Sequence, residues 1–372
     1  MGEYAQAGVD PNKIGPFKKA MRDVARRTAM FPERRQVSIN TSMLHSHGGV
    51  YRYMGARRHM WCQTTEGLGN KNWIAEWMYQ FDGTGRTFYR NIGIDTAMMA
   101  VNDNVAQGAL PVAYTDEVAA GDSGWFEDAK RASDLGGGFY EACLMSGMAL
   151  VAGESPSIRY LIRAEEPVKS APSLSGCVTG IIAPSYRLID GSKLRTGDRI
   201  IAVKSSGLHA NGISLVIKRA MELKDKFLTK LSDGQTLGEE ALTPTRCYVN
   251  LVEGLLDADV DIHALLPGTG GGVSKIAFDH RPHTYRIHSW FKKVPELFLF
   301  MRELGVSQDD CLTTFNWGSG YYAFVPAHEV ERTLSIAGDA GHEALEVGIV
   351  EDGERQVIFG PLGDKVLLPP SD

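Results

Sequence analysis

Five side chains in the first half of the chain carry oxygens of the kind that hold a hydrated divalent cation. They are Glu66 in "TTEGLGNK", Asp95, Asn102 and Asp103 in "NIGIDTAMMAVNDNVAQGALP", and Glu154 in "VAGES". Magnesium is usually held by one or two carboxylates together with substrate phosphates, so the set fits a magnesium–nucleotide site. Taken singly, each is more often a cap or a surface acid, and it is the set together that points to the metal and nucleotide. Lys71 and two glycines complete the first of these stretches. Asp95 and Asn102 raise a further question. With a helical turn of about 100° per residue, they fall among Met98, Val101, Val105, Ala106 and Ala109 on one face, with Asp103 on its border. A polar group buried there without a partner costs about 2 to 7 kcal/mol. The pattern therefore predicts something polar or cationic to meet that face.

The second half holds a different chemistry. "IIAVKSSGLHANGISLV" places Ser205, Ser206, Gly207, His209, Asn211 and Gly212 between a strand and a helix. Free N–H groups and a positive dipole end make such a turn a phosphate or carboxylate seat, and a βα turn capped by Asn211 is the plainer alternative. In "HALLPGTGGGVSKIAF" Thr269, Gly270, Gly271 and Gly272 precede another helix. Three successive glycines exceed what a cap requires and favour a backbone approached by a ligand. "LTPTRCYV" offers Thr245 and Arg246, with Thr243 as N-cap and Pro244 at the first helical position of the expected helix "PTRCYVNLVEGLL". The histidines of "HRPHTYRIH" lack a cysteine or carboxylate arranged to close a zinc site and read as loop or strand residues.

The elements that must position these groups alternate along the chain, helical periodicity with short β-branched runs, which indicates an α/β or α+β architecture. Helices are expected at 14–28, through the acidic stretch at 91–111, near 126–148, at "GISLVIKRAMEL" and near 294–304, with a polar loop at 224–240. Strands are expected at "MWCQTTEG", "LPVAYTDEVAAG", "ALVAGES", "SGCVTGIIAP", "RIIAVK" and "YYAFVPA". A boundary near Ser185 divides the 372 residues into domains 1–184 and 185–372. A net charge of −6 gives no general attraction to nucleic acid or an anionic membrane. The five cysteines show no metal-ligand spacing, and no apolar run approaches membrane-spanning length, so a cytoplasmic protein with reduced thiols is expected. The strand-like "MWCQTT", "LPVAYTDEV" and "SGCVTGII" leave open edges that pairing across a two-fold axis would remove.

Read in order, "YAQAGVD", "GIDTAMMAVNDNVAQGALP", "IDGSKLRTGD", "SSGLHANGISL", "LTPTRCYV", "TGGG" and "TFNWGSGYYAFVP" resemble the aminoimidazole ribonucleotide synthetase family, over nearly the whole chain. These are the phosphoribosylformylglycinamidine cyclo-ligases of purine synthesis. The resemblance implies an ATP- and metal-binding N-terminal domain whose sheet pairs in a homodimer, and a C-terminal α/β domain closing the cleft. ATP and Mg2+ are the implied cofactors, and formylglycinamidine ribonucleotide the implied small-molecule substrate. Metal would fall to Glu66, Asp95, Asp103 and Glu154, and catalytic roles to His209, Lys71 and Asp103, with Lys71 on phosphate. Binding of ATP or substrate would fall to Asn102, Ser206, Gly207, Asn211, Thr245, Thr269, Gly270, Gly271 and Gly272. Two departures stand out: the family's "DGVGTK" is here "EGLGNK", and its "TAEMPG" after the glutamate is "SPSIRYL", which removes a second acid. Another ATP-dependent phosphoryl transferase of the wider superfamily, or a dimeric nucleotide-binding protein without turnover, are the alternative readings.

Overall fold

The computed structural model describes residues 8–44 and 48–370, so most of "YAQAGVD" and part of the turn-rich stretch at 44–60 lie outside the described residues. The chain divides into two compact units, Met1–Asn104 with Ala109–Tyr186, and Val105–Gly108 with Arg187–Asp372.

In the first unit a helix α1 (Pro11–Thr28) opens under Asp10, whose carboxylate accepts from the N–H of Asn12 at 3.0 Å, with proline at the first helical position. Ile14, Phe17, Met21 and Val24 follow at helical spacing and are buried. A short ladder pairs β1 (Val37–Ile39) with β2 (Tyr51–Tyr53). Val37 and Ile39 share an apolar cluster with Val112, Ala149, Val151 and Ile181. β3 (Met60–Gly67) leads to α2 (Lys71–Phe81) and α3 (Tyr89–Val105). Next come β4 (Leu110–Ala119), α4 (Ala129–Ser146), β5 (Ala149–Glu154) and β6 (Ser173–Ile182). The sheet order is β3-β6-β4-β5; β4 and β5 are parallel, and β6 is antiparallel to both β3 and β4. Parallel neighbours need a long crossover, which α4 supplies.

The acidic helix differs from expectation. It ends at Val105, so Ala106 and Ala109 lie beyond it, and it is buried all round from Ile92 to Asn102 rather than along one stripe. Gly93 and Gly138 explain how. A Cβ on Gly93 would lie 2.8 Å from the Leu135 carbonyl oxygen, and one on Gly138 would lie 2.1 Å from that of Arg90, so the backbones of α3 and α4 pack in direct contact. The expected helix near 126 begins only at Ala129, because Asp128 caps it through the N–H groups of Lys130 and Arg131.

The second unit is built on β7 (Arg199–Lys204), β8 (Ala264–Pro267), β9 (His283–Ile287), β10 (Ser319–Val325), β11 (Ala344–Asp352), β12 (Gln356–Phe359) and β13 (Lys365–Leu367). The order is β13-β12-β9-β11-β7-β10-β8, antiparallel except for β12 beside β9. β10, flanked by β7 and β8, is buried at every position. Helices include α5 (Ile213–Glu222), α6 (Leu237–Ala241), α7 (Val249–Asp257) and α8 (Glu296–Glu303). Two expectations are corrected. The polar loop contains α6, opened by a reciprocal Thr236–Glu239 capping box. The helix expected from Pro244 begins only at Val249, and the carbonyl of Pro244 accepts instead from Ser206 Oγ at 2.6 Å. Thr243 therefore caps no helix at Pro244, and Thr245 and Arg246 lie in non-helical chain.

Candidate active site

Asp95 meets its partner inside the protein. Lys71 Nζ lies 2.8 Å from Asp95 Oδ2, and neither side chain has any solvent exposure. Lys71 opens α2 immediately after the Gly69–Asn70 turn that follows β3, and Asp95 sits in the second turn of α3. The partner predicted for the apolar face is thus, for Asp95, the lysine that the sequence offered to phosphate. Asn104, which sequence reasoning passes over, ties the end of α3 to β3 by donating from Nδ2 to the Cys62 carbonyl and to Thr64 Oγ1, both at 3.2 Å. Asn102 is buried, while Asp103 and Glu66 are half-buried, the latter on β3 opposite Gly176.

The four acids assigned to metal do not gather. Among the described residues, no group of three histidine, cysteine, aspartate or glutamate side chains is arranged to hold a metal ion. Asp95 is turned into the core against Lys71, whereas Glu154 lies at the end of β5 with its side chain mostly in solvent.

An acid that the sequence pattern does not single out stands beside Glu154. Asp116 pairs with Gly153 across the β4–β5 ladder, one residue from the Glu117–Glu154 pair. A Cβ on Gly153 would lie 2.3 Å from Asp116 Oδ1, so glycine is what leaves room for this carboxylate. Oδ1 is buried and meets no hydrogen-bond partner. Burial, reinforced by the negative charge of Glu154, raises the Asp116 pKa to about 7, against a weaker opposing contribution from its own backbone N–H. Asp116 lines a cavity of about 290 Å3 together with Lys18, Arg22, Gly153, Glu154 and Ser155. Lys18 Nζ stands 3.6 Å from Glu154 Oε1, which also accepts from the Ser155 N–H at 2.7 Å. Two carboxylates with two cations around a small polar cavity suit a divalent ion bound together with phosphate oxygens, and the unpartnered Asp116 oxygen is a donor such an ion would satisfy. The sequence does carry a signal for Asp116, as an acid near the end of a strand next to the one bearing Glu154. Its place in the run "LPVAYTDEV" makes it read as a strand residue.

In the second unit the three stretches picked out by sequence converge. Ser206 Oγ binds the Pro244 carbonyl, and a Cβ on Gly207 would come 3.9 Å from that of Thr243. A Cβ on Gly270 would lie 3.6 Å from Asn211 Oδ1, while Asn211 Nδ2 is buried without a hydrogen-bond partner. Lys275 Nζ donates to Thr269 Oγ1. Gly271 and Gly272 have φ of 90° and 57°, and a Cβ on Gly272 would strike the Leu312 and Phe315 carbonyls at 2.5 and 2.7 Å. His209, buried with φ 57°, accepts at Nε2 from the Ser206 N–H at 3.3 Å, so that nitrogen braces the turn. Asn316, another residue that sequence reasoning passes over, binds the Gly207 carbonyl through Nδ2 at 2.8 Å and accepts from the Gly318 N–H at 2.9 Å and Ser205 Oγ at 3.2 Å.

Comparison with known proteins places both units. A family model described as AIR synthase related protein, N-terminal domain, matches residues 47–182, and one described as AIR synthase related protein, C-terminal domain, matches residues 195–360. The chain belongs to the AIR synthase related family. It is 30% identical over 363 residues to the phosphoribosylformylglycinamidine cyclo-ligase of Clostridium novyi (strain NT), covering 96% of this chain and 99% of that one. It is 33% identical over 302 residues to the protein of the same name from Alkaliphilus oremlandii (strain OhILAs), covering 79% and 82%. Among solved structures, hydrogenase maturation protein HypE in complex with ATP is similar with a TM-score of 0.62 at 16% identity, over 100% of this chain and 97% of that one. The thiamine-monophosphate kinase from Stenotrophomonas maltophilia K279a has a TM-score of 0.60 at 17% identity, over 90% and 94%. The fold is therefore the AIR synthase-like α/β arrangement of two domains. No helix among the described residues is long and apolar enough to cross a membrane.

Proposed function

We propose that this protein uses ATP and Mg2+ to close the imidazole ring of aminoimidazole ribonucleotide from formylglycinamidine ribonucleotide. The observation that carries the reading is the cavity at the end of β4 and β5, where a buried, unpartnered carboxylate oxygen of Asp116 adjoins Glu154, Lys18 and Arg22. Likeness to the two cyclo-ligases supports the choice of substrate. Likeness to HypE, solved in complex with ATP, supports the choice of nucleotide. In the reaction, the formyl oxygen takes the γ-phosphoryl group of ATP, the amidine nitrogen attacks the activated carbon, and phosphate leaves, giving ADP, phosphate and the ring. Phosphoryl transfer asks the protein mainly for positioning and charge neutralisation. Asp116 and Glu154 hold the cation, which neutralises phosphate charge when bound, and Lys18 and Arg22 orient the phosphates. In the second unit, the turns at Ser206–Asn211 and Thr269–Gly272 seat the ribose phosphate. Lys71 and Asp95 act through the fold, by fixing α2 against α3.

A second reading, another phosphoryl transfer on the same scaffold, is favoured by the "SPSIRYL" departure beside Glu154 and by the likeness to a kinase fold. Supplying formylglycinamidine ribonucleotide, ATP and Mg2+ and following aminoimidazole ribonucleotide decides between them. Ring product supports the cyclo-ligase, whereas ADP formed only with other acceptors supports the second reading. The proposed protein is a cytoplasmic homodimer. β3 is an edge strand bearing exposed Met60 and Trp61, which pairing with a second copy would cover. Sedimentation is expected to give a dimer, and a monomer at micromolar concentration contradicts it.

A further inference from the structure

Both glycine-rich turns of the second unit meet at Gly320 on β10. Its carbonyl accepts from the N–H of Gly268, immediately before Thr269, at 2.9 Å, and a Cβ on Gly268 would lie 2.4 Å from the Ser319 carbonyl oxygen. The two backbones therefore touch. Gly320 also faces the Ser206 turn. A Cβ there would lie 2.0 Å from Tyr248 Oη and 2.5 Å from His209 Cε1, so the phenol and the imidazole share the space that this glycine leaves. The strand ladder slips at the same residue. Ser319 pairs with Lys204 and Tyr321 with Val203, which makes Gly320 the extra residue of a β-bulge. Opposite the bulge, the carbonyl of Lys204, the last residue of β7, accepts from Tyr248 Oη at 3.0 Å. Tyr248 is firmly placed. It immediately precedes α7, its ring stacks on that of Tyr321 at 4.9 Å, and the ring of His342 lies 5.2 Å away. Burial holds its phenol above the ordinary tyrosine range, against a smaller opposing effect of the Arg246 charge, so the hydroxyl stays a donor.

We propose that Tyr248, seated in the Gly320 bulge, is a positioning residue that sets the His209 ring and the Ser206 turn for the ribonucleotide. The inference rests on the reading of the Ser206–Asn211 and Thr269–Gly272 turns as the ribose phosphate seat. Bulges recur beside active sites because they re-aim a side chain. Here the bulge lets one hydroxyl reach the last carbonyl of β7 while it stands against the imidazole, which ties ring and turn to a single fixed point. His209 Nε2 accepts from the Ser206 N–H, so the neutral ring carries its proton on Nδ1. The same glycine holds the start of the second turn through Gly268. The bulge thus couples the two turns, and Tyr248 is the side chain that fills it.

The test compares the full chain with Tyr248→Phe, which keeps the ring and removes the hydroxyl. Nitrogen-15 NMR follows the His209 imidazole, its signals assigned by their loss in His209→Asn, and calorimetry follows binding of formylglycinamidine ribonucleotide and, separately, of ATP in Mg2+. In Tyr248→Phe the His209 signals are expected to shift, the ribonucleotide to bind about five- to tenfold more weakly, and ATP to stay within about twofold. A residue that only supported the fold would lower the melting temperature and leave the His209 signals and the ligand preference of the folded protein in place. Unchanged His209 signals, or unchanged ribonucleotide affinity, in the variant overturn the positioning role whatever happens to the melting temperature. Failure of the unaltered protein to bind the ribonucleotide overturns the seat reading beneath it, and the His209 signals then decide the positioning of the ring by themselves.

Discussion

Asp95 and Asp116 are both buried acids of the first unit, one on a helix and one on a strand, and they differ in the company they keep. Asp95 lies against Lys71 in the core, with both side chains wholly out of solvent. Asp116 has an oxygen with no hydrogen-bond partner, a pKa raised to about 7, and a cavity beside it that two cations also line. Burial alone therefore does not mark a ligand site. An acid already neutralised by the protein stabilises the fold once formed, and an acid left without a counter-charge is costly until something binds.

The comparison breaks most sharply at Lys71. Removing one partner of a buried pair leaves the other charge uncompensated, so Lys71→Met is expected to cost about 3 to 5 kcal/mol in urea unfolding. The double variant Lys71→Met with Asp95→Leu should recover most of that loss. A small loss in the single variant would show that Asp95 finds other compensation.

Asp116→Asn is expected to act in the opposite direction. The folded-state pKa of about 7 lies above the ordinary carboxyl value of 3.8, so the folded protein binds the proton more tightly than the unfolded chain. In the absence of cation, stability from this group is present at low pH and is lost as pH rises from about 4 to about 7. Replacing the carboxylate by an amide should raise stability at pH 8 by about 1 to 3 kcal/mol and remove that decline. Melting temperature against pH in chelator checks it. Equal slopes in the two proteins would mean that Asp116 ionises as easily folded as unfolded.

In the second unit Asn316→Ala is expected to cost about 1 to 2 kcal/mol, because the Gly207 carbonyl and Gly318 N–H lose a buried partner. Turnover per folded molecule should also fall as the Ser205–Gly207 turn loosens. Chemical denaturation and an activity assay on the same preparation separate the two effects. The smallest stability change is expected at Lys18, whose ion pair with Glu154 is largely exposed. Lys18→Ala should alter stability by less than about 0.5 kcal/mol yet weaken ATP several-fold, a contrast that places its role at the ligand.

Much of the scaffold is legible in the residues. Alternation of helical and β-branched runs locates β3 through β7, and glycine runs locate the two turns of the second unit. The acidic helix departs from its expected hydrophobic stripe because nothing in a linear pattern says that Gly93 and Gly138 let two backbones meet and bury every face. Lys71 looks free for phosphate in the sequence because its partner is 24 positions away, on another helix. Asp116 is hidden for the complementary reason: its meaning comes from a register, Asp116 beside Gly153 on a parallel neighbour, which exists only after α4 has carried the chain across the sheet. The Pro244 helix start fails because Ser206, 38 residues earlier, takes the Pro244 carbonyl.

The central claim, that Asp116 is the acid waiting for cation and phosphate, is tested most directly by Mg2+-dependent ATP affinity measured from pH 6 to pH 8 in the unaltered protein and in Asp116→Asn. The nucleotide's own titration is common to both and cancels in the comparison. The account predicts that the unaltered protein binds progressively tighter through pH 7 as the carboxylate ionises, while the variant binds at least about tenfold more weakly at pH 8 without that added rise. Identical affinities and identical pH dependence in the two proteins would contradict it.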